Sequence, residues 1–150
     1  MKLRDLLMAA PLLLGFTPAF AATATATTTT TTPNVNVRVD HGSVWQTLGK
    51  QNTTEGFIQF HNDGDTQDVL TAWSCPDADN TVLMGKDGKA LTQLVIPPKQ
   101  TVTLAPGGIY LALSGLHYDV KRGSILPCAF TFNVAGQIGG FLNETNRPKQ

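Results

Sequence analysis

The sequence predicts an all-β fold, an antiparallel Greek-key sandwich or barrel of about seven to nine short strands. Three observations predict it. Val35, Val37 and Val39 alternate with Asn36, Arg38 and Asp40, the period of a half-buried strand. Similar short runs then recur at 56–61, 69–74, 81–84, 93–96, 101–104, 109–113 and 125–134, separated by turn signals. Those signals are the Asn62-Asp63-Gly64-Asp65 cluster, Asp87-Gly88, Pro97-Pro98, Pro106-Gly107-Gly108 and Arg122-Gly123. Finally, no segment carries an apolar stripe at helical spacing for three turns.

Taken from the N-terminus, the chain opens with Lys2 and Arg4, followed by an apolar run from Leu6 to Phe16 broken only by Pro11 and Gly15. Ala19-Phe20-Ala21 supplies a small-x-small cleavage site. This layout predicts a secretory signal over 1–21, and the run is too short to span a bilayer. Cleavage removes Met1 and Met8 and leaves Met84 as the one methionine of the exported product. Residues 22–33 are nearly all Ala and Thr and end at Pro33, so they offer no face to pack and read as a flexible spacer. The folded domain is expected over 34–143, with 144–150 as a C-terminal tail. Asn52-Thr53-Thr54 and Asn143-Glu144-Thr145 match the glycosylation sequon and are read as chance matches.

Eleven basic and eleven acidic side chains cancel to a formal charge of zero in 150 residues. A nucleic-acid or polyanion binder needs a basic surplus, so that class is set aside. Only 15% of residues are charged, against about 25% in an average soluble domain, and neutral polar residues, Thr above all, cover much of the surface. After the signal no apolar run is long enough to span a membrane, and a monomer is expected.

In the last long run Cys128, Phe130 and Phe132 share one face, which the aromatics turn inward. Cys75 follows the strand carrying Trp73. Two cysteines in an exported domain are expected to pair as Cys75–Cys128, the alternatives being two buried thiols or an intermolecular bridge. Such a bridge closes a loop of over fifty residues and stabilises by about 4 kcal/mol in the chain-entropy model.

Enzyme chemistry finds no footing. Ser114 lies in Ala112-Leu113-Ser114-Gly115-Leu116, without the flanking glycines of a nucleophile elbow. His117 and Asp119, two residues apart near a strand end, do not make a triad with it. The pairs Asp63/Asp65 and Asp77/Asp79 fall in turns, where Asp serves local hydrogen bonding. No Gly-rich phosphate loop follows a strand and opens a helix. A non-enzyme is expected.

The stretches GFIQFHNDGDTQDVL (56–70), LVIPP (94–98) and LAPGGIYLALSGL (104–116), continued by VKRGS (120–124) and FTF (130–132), resemble the PCu(A)C family. Its members are periplasmic copper(I) chaperones of cupredoxin-like fold, and the likeness runs in order over residues 35–140. The most specific piece is the Pro-Gly-Gly turn leading into Leu111-Ala112-Leu113-Ser114-Gly115-Leu116. The resemblance implies a Cu(I) site built from a His ending a mid-chain strand, a Met in the loop after it, and His-x-Met just beyond the Pro-Gly-Gly turn. Imidazole and thioether are donors that suit soft Cu(I).

At those positions the chain departs from the pattern. Met84 stands in place of the first His, the following loop holds no Met, and Tyr110 and Ala112 replace the last pair. One mature methionine cannot restore a two-His, two-Met site, which leaves Met84 as a weak candidate ligand and copper(I) as a cofactor by resemblance only. A blue-copper centre is excluded, because no His lies downstream of Cys128 or close to Cys75. His41, His61 and His117 read as three ordinary surface histidines. The function expected is an exported, copper-chaperone-like protein of copper handling or cuproenzyme (oxidase) assembly, with a degenerate site and a cuproenzyme or copper-handling partner. The alternative is a metal-free module that binds a protein with the same face, for which Tyr110 is suited.

Overall fold

The computed structural model describes residues 34–149; the stretches read as export signal and spacer lie outside the described residues. Nine strands form and, among the described residues, no helix: β1 (Val37–Trp45), β2 (Thr53–Asn62), β3 (Asp68–Ser74), β4 (Ala78–Met84), β5 (Leu94–Ile96), β6 (Gln100–Thr103), β7 (Tyr110–Leu116), β8 (Ile125–Phe132) and β9 (Gly136–Thr145). They belong to one curled sheet in the order β4-β7-β2-β1-β9-β8-β3-β5, with β6 on β2 off this path, a half-barrel of the expected all-β class. One edge of β2 pairs with β1. The other edge is divided, its first half bonded to β7 and its second to β6, with Leu104 N donating to Ile58 O between them. Every pairing between named strands is antiparallel except β1 with β9.

Strand alternation decides which side chains fill the curl. Ile58 and Phe60 of β2, Leu111 and Leu113 of β7, Leu126, Phe130 and Phe132 of β8 and Leu142 of β9 are all buried on the inner face. The Phe60 ring meets Phe130 and Phe132 edge-on at 5.1 and 5.7 Å. Each such buried aromatic contributes about 2–3 kcal/mol of apolar transfer. The expected bridge is present: Cys75, just past β3, is bonded to the inward Cys128 of β8, and no cysteine is free among the described residues.

Polar anchors close the two ends of the β2–β3 turn. Asn62 is buried, donates Nδ2 to the carbonyls of Thr66 and Ile96, and accepts from Gly64 N. The buried Asp68 carboxylate accepts from the backbone N–H groups of Val69, Val134 and Ala135, which ties β3 to the turn after β8.

β9 alternates in burial but lacks the hydrophobic alternation in sequence that marks the other strands, and the run expected over 125–134 ends at Phe132. Gly136, Gly139 and Gly140 carry no side chains to alternate. Yet β9 pairs with β8 along its length, from Ile125↔Asn143 to Phe132↔Gly136. Gly140 faces the core opposite Cys128, where an added Cβ would come within 3.0 Å of Ile58, Phe130 and Val39 side chains. The absence of a side chain is what lets the sheet curl tightly there.

Candidate functional site

The outward face of β4, β7 and β2 holds the positions that the sequence singles out. Leu83, Leu111 and Leu113 point inward, so their neighbours Val82, Met84, Tyr110 and Ala112 point outward. The β4–β7 ladder sets Met84 opposite Tyr110 and Val82 opposite Ala112, and the β2–β7 ladder sets Glu55 opposite Ala112. The three positions Met84, Tyr110 and Ala112 therefore gather on one patch although the first two are 26 positions apart in the chain. Tyr110, Ala112, Thr53, Glu55, Ser114 and Arg147 line a shallow depression of about 230 Å³.

Donor chemistry on this patch is poor for Cu(I). Met84 offers one thioether and is half-buried; Ala112 offers nothing; the Tyr110 phenol is a hard donor that Cu(I) does not favour. The residues present do not make the four-ligand imidazole and thioether set. Beside them lies an aromatic cluster instead. Phe57 sits on the outer face of β2, buried yet outside the main core, with Trp45 edge-on at 4.9 Å. The Arg147 guanidinium stacks 5.2 Å from the centre of the Trp45 ring.

A second cluster lies on β1 and β2. In the ladder Asp40 faces Gln59 and Ser43 faces Phe57, so His41 and Gly42 together oppose the single residue Ile58. This is a β-bulge, and His41 takes a left-handed φ of 52° to make it. Without the bulge, Asp40 and His41 would point to opposite faces. With it, His41 Nδ1–H donates to Asp40 Oδ1 at 2.6 Å, and His61 Nε2–H reaches the same oxygen at 2.7 Å from β2. The other imidazole nitrogen of His61, Nδ1, lies 2.7 Å from Thr101 Oγ1 on β6. Side-chain exposure falls from 70% at His41 through 33% at Asp40 to 18% at His61, so the cluster opens outward at His41. The hydrogen bond from His41, with His61 adding to it, holds the Asp40 carboxyl below the usual carboxylate range. Arg38 lies 3.5 Å from the second Asp40 oxygen but makes its closer contact, 2.8 Å, with Asp63.

Two of the three histidines are therefore not independent surface residues, as the sequence reading has them. His117 is separate, with Nε2 3.0 Å from Asp79 Oδ1. His41 does not approach Met84: β4 and β1 are three strand spacings apart in the sheet, about 14 Å. One signal for the cluster is present in the sequence. The valine phase of 35, 37 and 39 breaks at 41, where His stands before a glycine, the mark of a bulge.

Comparison with known proteins follows the fold. The LpqE-like family model matches residues 36–139. No curated protein matches the sequence. Among solved structures, the apo PCuAC domain of PmoF1 is 26% identical with a TM-score of 0.69, covering 76% of this chain and 98% of that domain. The copper-bound PCuAC domain of PmoF2 is 18% identical with a TM-score of 0.67, covering 74% and 93%. The Cu(I) form of DR1885 from Deinococcus radiodurans is 19% identical with a TM-score of 0.61, covering 84% and 87%.

Proposed function

We propose, from the premise that this chain belongs to the LpqE-like family of PCuAC domains, that it serves copper handling or cuproenzyme assembly outside the cytoplasm. The observation that carries the reading is the Met84–Tyr110 pair. The ladder sets Met84 opposite Tyr110 with Ala112 beside them, which supports reading these as the family's ligand positions with altered side chains. In this reading the protein is exported under the signal at 1–21 and works as a monomer. Recognition of a copper-handling partner is its main contribution, and Met84 gives only a weak Cu(I) contact. No copper transfer through a four-ligand site is assigned to it.

A second reading has its own support in the aromatic cluster. Tyr110, Trp45 and the stacked Arg147 are residue types enriched at interfaces. They would suit a metal-free module that grips a protein with the same face. Titration of the purified protein with Cu(I) against a competing chelator separates the two. The copper reading expects a 1:1 complex weakened about tenfold by Met84→Ala, the loss of one thioether being worth about 1.4 kcal/mol. No competition with the chelator at all would leave the metal-free module standing.

A further inference from the structure

We propose that Asp40, His41 and His61 form a binding site for a borderline divalent transition-metal cation, Cu(II) or Zn(II), on the β1–β2 bulge. The site is separate from the β4–β7 patch and does not depend on the function proposed above. Three donor atoms, Asp40 Oδ1, His41 Nδ1 and His61 Nε2, lie within 4.8 Å of one another. Around a cation with metal–ligand distances of about 2.0–2.2 Å, tetrahedral donors stand roughly 3.4 Å apart, so small side-chain rotations convert the hydrogen-bonded cluster into a coordination shell. Two imidazoles and one carboxylate suit Cu(II) and Zn(II), and they are a poor set for Cu(I), which prefers sulfur. Among these divalent ions the Irving–Williams order puts Cu(II) first.

The surroundings fit the role. With Nε2 on the metal, His61 carries its remaining proton on Nδ1, where Thr101 Oγ1 accepts it and fixes the ring. His41 likewise turns Nδ1 to the metal and keeps its proton on Nε2, toward solvent. Arg38 is the nearby charge that opposes a cation, and its Nε is bonded to Asp63, which leaves Asp40 Oδ1 facing the two imidazoles. Three protein ligands and an exposed His41 leave a fourth position open to water or to a donor from a partner.

Backbone strain is the independent observation. A histidine at φ 52° is disfavoured by about 1 kcal/mol relative to glycine, and nothing in core packing asks for an imidazole there. What the strained residue gains is a side chain on the same face as its neighbour Asp40.

The untagged protein is titrated with Cu(II) and with Zn(II) against competing chelators, and the Cu(II) form is examined by electron paramagnetic resonance. One ion per chain is expected, with hyperfine coupling to two imidazole nitrogens. His41→Gly suits the left-handed backbone and keeps the fold. It is expected to lower affinity at least tenfold and remove one nitrogen coupling, while leaving thermal stability equal or higher. His61→Asn is expected to lower affinity at least as much, and Met84→Ala to change neither affinity nor spectrum. Affinity and spectrum unchanged in both histidine variants, or no complex at tens of micromolar metal, would overturn the site. Neither result would bear on the Cu(I) titration of Met84.

Discussion

At the β4–β7 edge, strand register gathers Met84, Tyr110 and Ala112 into one patch that holds a single soft donor. On the β1–β2 ladder one extra residue gathers Asp40, His41 and His61 into a patch with three nitrogen and oxygen donors. Both lie on the outward face of the same sheet, and neither draws on the core for its chemistry. Regular pairing determines which positions meet and says nothing about whether the side chains there ligate. The bulge does something pairing cannot, turning two consecutive residues to one side. In this protein the patch of Met84, Tyr110 and Ala112 and the best cluster of nitrogen and oxygen donors are different places.

The largest test restores the missing donors at the first patch. Tyr110→His with Ala112→Met beside Met84 is expected to raise Cu(I) affinity about a hundredfold, roughly 2.7 kcal/mol, and to leave divalent binding at the bulge unchanged. Unchanged Cu(I) affinity would mean that this patch does not present its side chains as a ligand set, and the contrast would fail on geometry. The next test breaks the bulge. A Cβ added at Gly42 would overlap the carbonyl oxygen of Phe141 on β9, so Gly42→Ala is expected to cost about 2 kcal/mol in urea denaturation and to weaken divalent binding with it. Full stability in that variant would show a bulge loose enough to rearrange.

The smallest effect separates the bulge from the turn beside it. The Asp65 carboxyl is held below its usual range, first by its hydrogen bond from Lys99 and then by one from Asn34. Its contribution to stability is complete above about pH 4 and is lost as pH falls further, because the folded state then binds its proton later than the unfolded chain. Asp65→Asn is expected to lower the melting temperature slightly at pH 6 and to approach the parent as pH falls below about 4, with divalent affinity at pH 6 unaltered. A fall in divalent affinity would join the turn to the site.

Much of the frame was legible from residues. Val37 and Val39 gave β1, inward Cys128 beside Phe130 and Phe132 gave the core face of β8, and the cysteine pair formed as expected. The turn after Asn62 was announced by that residue and by Asp63, Gly64 and Asp65. β9 was not legible, because a strand that meets the core with Gly140 and carries further glycines at 136 and 139 leaves no hydrophobic period to read. The Asp40–His41–His61 cluster escaped for a different reason. Strand logic assigns adjacent residues to opposite faces, and only the ladder register, which skips between Asp40 and Ser43, reverses that assignment. The patch of Met84, Tyr110 and Ala112 was found because a resemblance supplied the positions, which spacing alone would not have linked.

The parallel pairing of β1 with β9 has a consequence in time. Ser43, Val44 and Trp45 bond to Asn143, Glu144 and Thr145, so the first strand waits for the last. A chain growing from its N-terminus leaves the neighbouring edges of β1 and β8 unpaired until β9 has emerged. Pairings of such long sequence separation place folding on roughly the millisecond-to-second scale, slow for a domain of this size. Completion of the sheet is thus a late and nearly all-or-none event, and loss of Asn143 to Thr145 would be felt at the strand that carries Asp40 and His41.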